Sequence, residues 1–268
     1  MRYLVFGDVH GNIDALDAVL AEAGWRGVDG YLFVGDVVGY GPSPLECIER
    51  LMDLQQRGLL AWVAGNHELA VRGAVEWEGY NEEAVRTLEW TRAQLATAPA
   101  AHEFLAAGKL TAQVNDTIWL THDSLAESGG GGYHRLPQNA KRELAWLAQR
   151  GGRVCFYGHT HTLRAELRRG AAEIVLVPMT PQANGDVDPH PLQLTPRDAG
   201  WIGVGSVGFP KNEARWPEFV ILDDVDGDDW KVEKYVVKYA RARAKERVRA
   251  TLTAPCGEDV ANRIAKWL

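Results

Sequence analysis

Five apolar stretches of this 268-residue chain each run directly into a residue able to ligate a metal ion, and this restricts the fold more than any other feature. Residues 3–8 close on Gly7-Asp8 and residues 31–36 on Gly35-Asp36. Residues 59–64 lead into Gly65-Asn66-His67-Glu68, residues 117–121 into His122, and residues 153–157 into Gly158-His159-Thr160-His161. Short apolar runs bounded by Gly and Asp read as buried strands. Between the first three lie helical signals. Asn12 caps a segment with Ile13, Leu16, Val19 and Leu20 at helical spacing, and Ser43-Pro44 with Glu46 reads as a capping box. Strands alternating with helices imply parallel β-α-β units.

The remainder completes an α/β chain. Asn81 caps a helix carrying Val85, Leu88 and Leu95, Pro99 opens another, and together they suggest a helical insertion at about 78–108. Residues 109–114 and 117–121 read as a hairpin, and residues 129–132 are a run of four glycines that reads as a mobile loop. A helix is expected over 137–149. Strands are expected at 164–167, 173–177, 191–194, 201–204, 219–222 and 231–237, with Asp226-Gly227 turning the last pair. A helix from about Tyr239 and another with Val260, Ile264, Trp267 and Leu268 on one face close the chain. No repeat or low-complexity linker interrupts it. A single domain over 1–268 with two sheets is the expectation.

The strand ends carry the chemistry. In α/β sheets ligands bind outside the carboxyl ends of strands, so these Asp, Asn and His side chains are expected at one edge. Residues two apart in extended chain face the same way, which pairs Asp8 with His10 and His159 with His161. Carboxylate oxygen and imidazole nitrogen suit manganese, iron or zinc, and no thiolate joins the set. Asp36 has two oxygens with which to bridge two ions. Two ions about 3.5–4 Å apart can clamp both the attacking and the leaving oxygen at phosphorus. The helix near Ile13 aims its N-terminus at the same edge, which favours an anion.

The ordered set Gly7-Asp8-Val9-His10-Gly11-Asn12, Gly35-Asp36-Val37-Val38-Gly39-Tyr40-Gly41-Pro42, Gly65-Asn66-His67-Glu68, Thr121-His122 and Gly158-His159-Thr160-His161 resembles the calcineurin-like metallophosphoesterase superfamily. It looks most like the compact prokaryotic phosphodiesterase branch. The resemblance implies a four-layer α-β-β-α sandwich with two mixed sheets. It implies that Asp8, His10 and His161 hold one metal ion, that Asn66, His122 and His159 hold a second, and that Asp36 bridges both. His67 would be the catalytic histidine, and Glu68 would orient its neighbours. The implied reaction is hydrolysis of a small phosphodiester by a metal-bridging hydroxide. The cofactors would be two divalent transition-metal ions, manganese or iron favoured, with nickel or zinc as alternatives. Protein phosphatases and symmetrical diadenosine tetraphosphatases carry Asp-Arg-Gly where this chain has Gly39-Tyr40-Gly41, so an arginine to clamp a dianionic monoester is missing there. A phosphomonoesterase or nucleotide pyrophosphohydrolase on the same site is the alternative reading. A non-catalytic scaffold is remote while every ligand position is filled. Gly203-Val204 stands where the branch often has Asn-Pro, which weakens any role for the Gly205-Ser206-Val207-Gly208 loop.

Three further residues are candidate substrate contacts: Tyr40, four residues after Asp36, and Tyr133 and Arg135 beyond the glycine run. His102 and His190 read as surface residues. Of ten tryptophans, Trp25, Trp62, Trp119, Trp146 and Trp267 sit in periodic patterns and are expected in the core, while exposed ones would mark a homo-oligomer surface. Hydrophobic residues make up 46% and charged residues 24%, which excludes a disordered chain. Three unpaired cysteines and no apolar run long enough for a signal or a membrane span lead to a cytoplasmic expectation. The net charge of −7 argues against a long nucleic-acid partner or a membrane surface. Two divalent ions would nevertheless make the pocket locally positive, so a small phosphodiester or nucleotide remains the expected partner.

Overall fold

A computed structural model describes residues 1–127, 140–170, 174–177, 179, 188–224 and 229–268. The alternation of side chains along the first strand sets the layering. In β1 (Arg2–Phe6), Leu4 and Phe6 face a helical layer while Val5 faces the other way, and all three are buried. The strand runs parallel to β2 (Gly30–Phe33), which runs parallel to β3 (Leu60–Trp62). On the other side it pairs antiparallel with β11 (Glu218–Asp224), followed by β12 (Trp230–Val236) and β9 (Leu192–Leu194). The first sheet thus has the order β3-β2-β1-β11-β12-β9.

The second sheet has the order β4-β5-β6-β10-β7-β8. Its strands are β4 (Thr111–Gln113), β5 (Ile118–Thr121), β6 (Val154–Tyr157), β7 (Leu163–Arg169), β8 (Ile174–Val177) and β10 (Asp198–Val204). β5, β6 and β10 are parallel, and the outer pairings are antiparallel. Both sheets are therefore mixed.

Between the sheets, Val5, Leu32 and Val220 pack against Leu120, Phe156 and Ile202. Outside the first sheet, α1 (Ile13–Trp25), α2 (Pro44–Gln56), α4 (Glu82–Leu95) and α5 (Pro99–Ala106) bury Leu16, Ile48, Leu88 and Phe104 against Leu4, Phe33 and Ile221. Outside the second sheet, α6 (Ala140–Ala148) places Leu144 and Leu147 on Cys155, Tyr157 and Trp201. This is the expected four-layer α-β-β-α sandwich. The C-terminal pair α7 (Arg241–Cys256) and α8 (Glu258–Trp267) shares its own apolar seam, with Val248, Leu252, Val260 and Ile264 fully buried.

Two of the expected caps form. Asn12 accepts from the Ala15 amide at 3.2 Å, and Asn81 from that of Ala84 at 2.8 Å. Ser43 does not cap through its side chain; its amide donates to Gly11 O, and Pro44 opens the helix without needing a donor partner. The tryptophan expectation is half corrected. Trp25 is 69% and Trp267 46% exposed, because each ends a helix where the apolar stripe has run past the layer it covers. Trp62, Trp119 and Trp146 are half-buried, whereas Trp201 in β10 is the fully buried one. The Gly129–132 run, Tyr133, Arg135, the start of the helix expected from Pro137 and the Asp226-Gly227 turn lie outside the described residues.

Candidate metal centre and substrate cleft

The seven candidate ligands and His67 gather at one edge of the sandwich. Asp8 and His10 follow β1, Asp36 follows β2, and Asn66 and His67 open α3 (Asn66–Val71) directly after β3. His122 follows β5, and His159 and His161 follow β6. The first sheet therefore supplies the acids and the second supplies three of the histidines.

The pairing of Asp8 with His10 does not arise from strand alternation, as the spacing suggested. The strand ends at Phe6, and Asp8 (φ 52°) and His10 (φ 48°) both take the left-handed conformation. So do Asp36, Tyr40, His159 and His161. Among the described residues only Arg215 is a further non-glycine with positive φ, so the strained backbone is concentrated at this edge. Such residues persist only where their surroundings hold them. Here Asp8 N donates to Gly35 O (2.9 Å), His10 N to Asp36 O (3.0 Å) and His159 N to the Asp8 carboxylate (2.9 Å). The Gly205-Ser206-Val207-Gly208 loop, weakened as a candidate, braces Asp8 from behind. Both the Ser206 hydroxyl and the Gly208 amide donate to Asp8 O at 2.9 Å.

Three of the imidazoles are aimed by their second nitrogen. The Nδ1 atoms of His10, His122 and His161 sit 3.0, 2.7 and 2.7 Å from the carbonyl oxygens of Val38, Val34 and Phe209. A carbonyl accepts only, so Nδ1 carries a hydrogen and Nε2 is the nitrogen turned inward, offering its lone pair whenever the ring is neutral. His10 Nε2 and His161 Nε2 then face each other at 3.0 Å, with Asp8 Oδ1 3.3 Å from the latter and 3.9 Å from the former. Lone pairs cannot converge this closely without a proton or a cation between them. The donor set of two imidazoles and a carboxylate fits a divalent transition metal.

A second group forms around Asn66 Oδ1, which is 3.1 Å from His122 Nε2 and 2.9 Å from His159 Nδ1. Its amide is oriented by Tyr80, whose hydroxyl accepts from Asn66 Nδ2 and donates to Asn66 O, both at 2.9 Å. Asp36 stands between the groups. Its Oδ1 accepts from the His67 amide at 2.9 Å. Its Oδ2 lies 3.2 Å from His122 Nε2, 3.8 Å from His10 Nε2 and 4.0 Å from His67 Nε2. The single oxygen Oδ2, rather than both, therefore faces the two groups. Three overlapping clusters result: Asp8-His10-His161, His10-Asp36-His67 and Asp8-Asp36-His122.

Electrostatics follow the burial. Burial alone would raise both aspartates. The histidine charges around them outweigh it and hold Asp8 below, and Asp36 well below, the ordinary carboxylate range. Burial lowers His10, His67 and His159, the last to about 4. It works against His122 too, but the adjacent Asp36 carboxylate pushes that ring up to about 10. A cation is thus favoured at this edge, as two buried carboxylates demand.

Two glycines make room. A Cβ on Gly39 (φ 89°) would lie 2.0 Å from His67 Nδ1, and one on Gly65 would lie 2.1 Å from Asp36 Oδ1. Glu68 fulfils the orienting role expected of it. Its carboxylate accepts from the amides of Asp36, Val37, Val38 and Gly65 at 2.7, 2.8, 3.2 and 2.7 Å. It thereby fixes the backbone on both sides of the Asp36 turn. Burial and the nearby Asp36 charge nonetheless push it up to about 7.

The edge opens into a cleft of about 460 Å³. Asp36, Asn66, His67, His159 and His161 form its floor, and Tyr40, Phe209, Ile264 and Trp267 form an apolar wall. The calcineurin-like phosphoesterase profile matches residues 1–163, which contain all seven candidate ligands and His67. The chain belongs to the calcineurin-like phosphoesterase family. Across its whole length this family member is similar to a metallophosphoesterase from Sphaerobacter thermophilus, 25% identical, with 100% of each chain covered and a TM-score of 0.70. A hypothetical protein from Pyrococcus horikoshii shares the fold at 17% identity, covering 98% and 97% of the two chains with a TM-score of 0.68. An uncharacterized protein of Methanocaldococcus jannaschii is 25% identical over 98% of this chain and 94% of its own length.

Among the weaker candidates, Tyr40 does line the cleft of this phosphoesterase, buried and edge-on to His10 with ring centroids 5.0 Å apart. His102 and His190 are exposed, as expected. Tyr80, Phe209, Lys211 and Trp267 went unsingled as site residues. Phe209 and Lys211 directly follow the Gly205–Gly208 stretch, which is the signal that could have pointed to them. Tyr80 and Trp267 carry no such sign, since tertiary packing alone brings Tyr80 to Asn66 and Trp267 to the cleft. No helix among the described residues is long and apolar enough to cross a membrane.

Proposed function

We propose that this phosphoesterase hydrolyses a small phosphodiester with two divalent metal ions. Asp8, His10 and His161 would hold one ion, Asn66, His122 and His159 the other, and Asp36 Oδ2 would touch both. Such ions supply Lewis acidity toward the phosphoryl oxygens and toward an attacking water. His67 lines the cleft with Nε2 4.0 Å from Asp36 Oδ2 and Nδ1 buried without a hydrogen-bond partner. Its ring is placed to donate a proton to the departing ester oxygen or to hold a phosphoryl oxygen.

The observation that carries this reading is the 3.0 Å approach of His10 Nε2 to His161 Nε2, with both opposite nitrogens committed to carbonyls. The diester preference rests on the cleft. Among the described residues its floor bears no arginine, Tyr40 occupies the turn after Asp36, and an apolar wall extends beyond the floor where a second ester arm would lie. Lys211 also lines the cleft, and for that reason a monoester or pyrophosphate substrate is the second reading. Bis-p-nitrophenyl phosphate, p-nitrophenyl phosphate and a dinucleoside tetraphosphate should be compared by kcat/KM with manganese present and with chelator. The diester should lead, and chelation, Asp36→Ala and His67→Ala should each cut its rate at least 100-fold. Rates indifferent to chelator and to Asp36→Ala would sink the two-metal reading, and a leading monoester would replace the diester one.

A further inference from the structure

Arg215 is the one non-glycine among the described residues that takes positive φ (53°) away from the candidate metal edge. An L residue keeps that conformation only where its surroundings over-determine it. Arg215 N donates to Asn212 O at 3.0 Å. The Asn212 side chain closes the same turn, accepting from Trp216 N at 3.1 Å and donating to Trp216 O at 2.7 Å. Arg241, at the start of α7, donates to the carbonyls of Ala214 and Arg215 at 2.8 and 2.9 Å, with its guanidinium 3.7 Å from the centre of the Trp216 ring.

This strained turn delivers the Arg215 side chain to the end of α8. Nη1 donates to Lys266 O and Trp267 O at 3.1 and 3.2 Å, and the guanidinium lies 4.9 Å from the centre of the Trp267 ring. Carbonyls in the last turn of a helix lack partners within it, and a cation is favoured there. Seating α8 does not by itself call for such strain, because Val260, Ile264 and Leu268 already bury its apolar face. The front of the same segment supplies the reason. Residues 209–211 hold the His159–His161 turn by three bonds. Phe209 O accepts from His161 Nδ1 at 2.7 Å, Lys211 Nζ donates to Thr160 O at 2.9 Å, and Lys211 N donates to His161 O at 3.4 Å. His159 (φ 64°) and His161 (φ 56°) are themselves left-handed, so their turn also has to be held from outside. Ser206 Oγ accepts from Phe209 N at 2.9 Å and fixes where the segment starts. Arg215 fixes where it ends. Residues 209–216 thus form a bracket with one foot on the candidate ligand turn and the other on α8.

We infer that Arg215 is a positioning residue for the candidate metal centre. By gripping the last turn of α8 it keeps residues 209–211 against the His159–His161 turn, and so keeps the His161 ring aimed. This rests on the phosphoesterase reading and adds to it a residue that touches neither metal nor substrate. α8 is thereby part of the support of a ligand as well as a wall of the cleft.

Arg215→Asn removes the guanidinium and puts at φ 53° a residue that tolerates this backbone better, so a loss cannot be ascribed to added strain. Arg249→Ala is the comparison, since Arg249 ties α7 to Asn262 of α8 at 3.2 Å, outside the bracket. In the metal-free protein, nitrogen-15 NMR follows the His161 Nδ1 hydrogen, assigned by its disappearance in His161→Ala. It should exchange with solvent at least about tenfold faster in Arg215→Asn and at the native rate in Arg249→Ala. Equilibrium dialysis against manganese should show one of two ions bound about tenfold more weakly in Arg215→Asn, as loss of an orienting partner provides, with the other ion unaffected. Arg215→Lys, which keeps a cation for the same carbonyls, should recover most of both losses. Should Arg215→Asn fail to fold, Arg215→Gln takes its place with the same expected outcomes. Native exchange and native manganese affinity without the guanidinium would overturn the inference. So would equal losses in Arg249→Ala, which would make the packing of α8 alone responsible. If the wild-type protein binds no manganese, the two-metal reading falls, and the exchange rates still decide the role of Arg215.

Discussion

His10 and His161 meet nitrogen to nitrogen at 3.0 Å, each held in that pose by a backbone carbonyl behind it, Val38 O and Phe209 O. Two neutral imidazoles so arranged repel unless an electrophile lies between them. His161→Ala should therefore lower bound metal by one ion per chain, measured by elemental analysis after equilibrium dialysis, and depress hydrolysis at least 100-fold. Full metal occupancy in the variant would contradict this pairing.

Gly39 controls His67 through space alone. With φ at 89° and only 2.0 Å between a Cβ there and Nδ1, Gly39→Ala must both strain the turn and push the ring aside. Activity should fall nearly as far as in His67→Ala. Gly27 offers the comparison, since it also has positive φ (67°) but nothing within 4 Å of an added Cβ. Gly27→Ala should cost about 1 kcal/mol in denaturant unfolding, from backbone strain, and leave kcat unchanged. Equal activities in the two variants would show that the Gly39 contact is unimportant.

Tyr80 acts through Asn66. Its hydroxyl both accepts from Nδ2 and donates to the backbone carbonyl, so the Asn66 side chain is pinned with Oδ1 toward His122 and His159. Tyr80→Phe keeps the ring and removes both bonds. Loss of an orienting partner of this kind typically costs 10–100-fold in metal affinity or activity. The variant should need more metal for half-maximal rate, and excess metal should restore most of the activity. A drop in kcat that added metal does not rescue would assign Tyr80 another role.

Glu218 makes stability depend on pH. Burial pushes its carboxyl up to about 7, against partial relief from Asn212 and the Ser206 backbone. Below the ordinary glutamate pKa of about 4.3 both folded and unfolded chains hold the proton, and no penalty arises. Between there and about pH 7 only the unfolded chain releases it freely, so folding loses stability as pH rises, and the loss levels off above 7. Glu218→Gln mimics the protonated acid. It should raise stability at pH 8 by on the order of 2 kcal/mol and change nothing at pH 4, read from denaturant midpoints. An equal effect at both pH values would rule out ionisation as the cause.

The candidate ligands were legible because each ends or closely follows an apolar run, and apolar runs report burial directly. Asp8, Asp36 and His122 could be placed at strand ends without knowing how the strands pair. The reason Asp8 and His10 converge was not legible. The sequence spacing fits an extended strand, whereas the chain achieves the convergence with left-handed backbone at both residues, a state that Asp and His tolerate better than most residues but that their spacing does not announce. Nor could spacing distinguish Trp201 from Trp267. Both sit in apolar patterns, but one lies mid-strand between helix and sheet and the other at the last turn of a helix that has outrun its support. The capping box at Ser43 failed for a similar reason. The turn that carries Gly11 approaches closely enough to take the Ser43 amide, and the cap motif is a local rule that cannot anticipate a distant carbonyl.

The division of the candidate ligands between the two sheets has a mechanical consequence. Asp8 and Asp36 hang from one half of the sandwich, and His122, His159 and His161 from the other, with Asp8 and His159 separated by 151 positions in sequence. Under the proposed function, ions held by both halves would rivet them together along the edge where the interleaved Val5, Leu32, Leu120 and Phe156 layer ends. An ion present at a hundred times its Kd adds about 2.7 kcal/mol to the folded state. The proposed active edge would then also be the molecule's seam, and a cell short of metal would lose such a protein to unfolding as well as to inactivity.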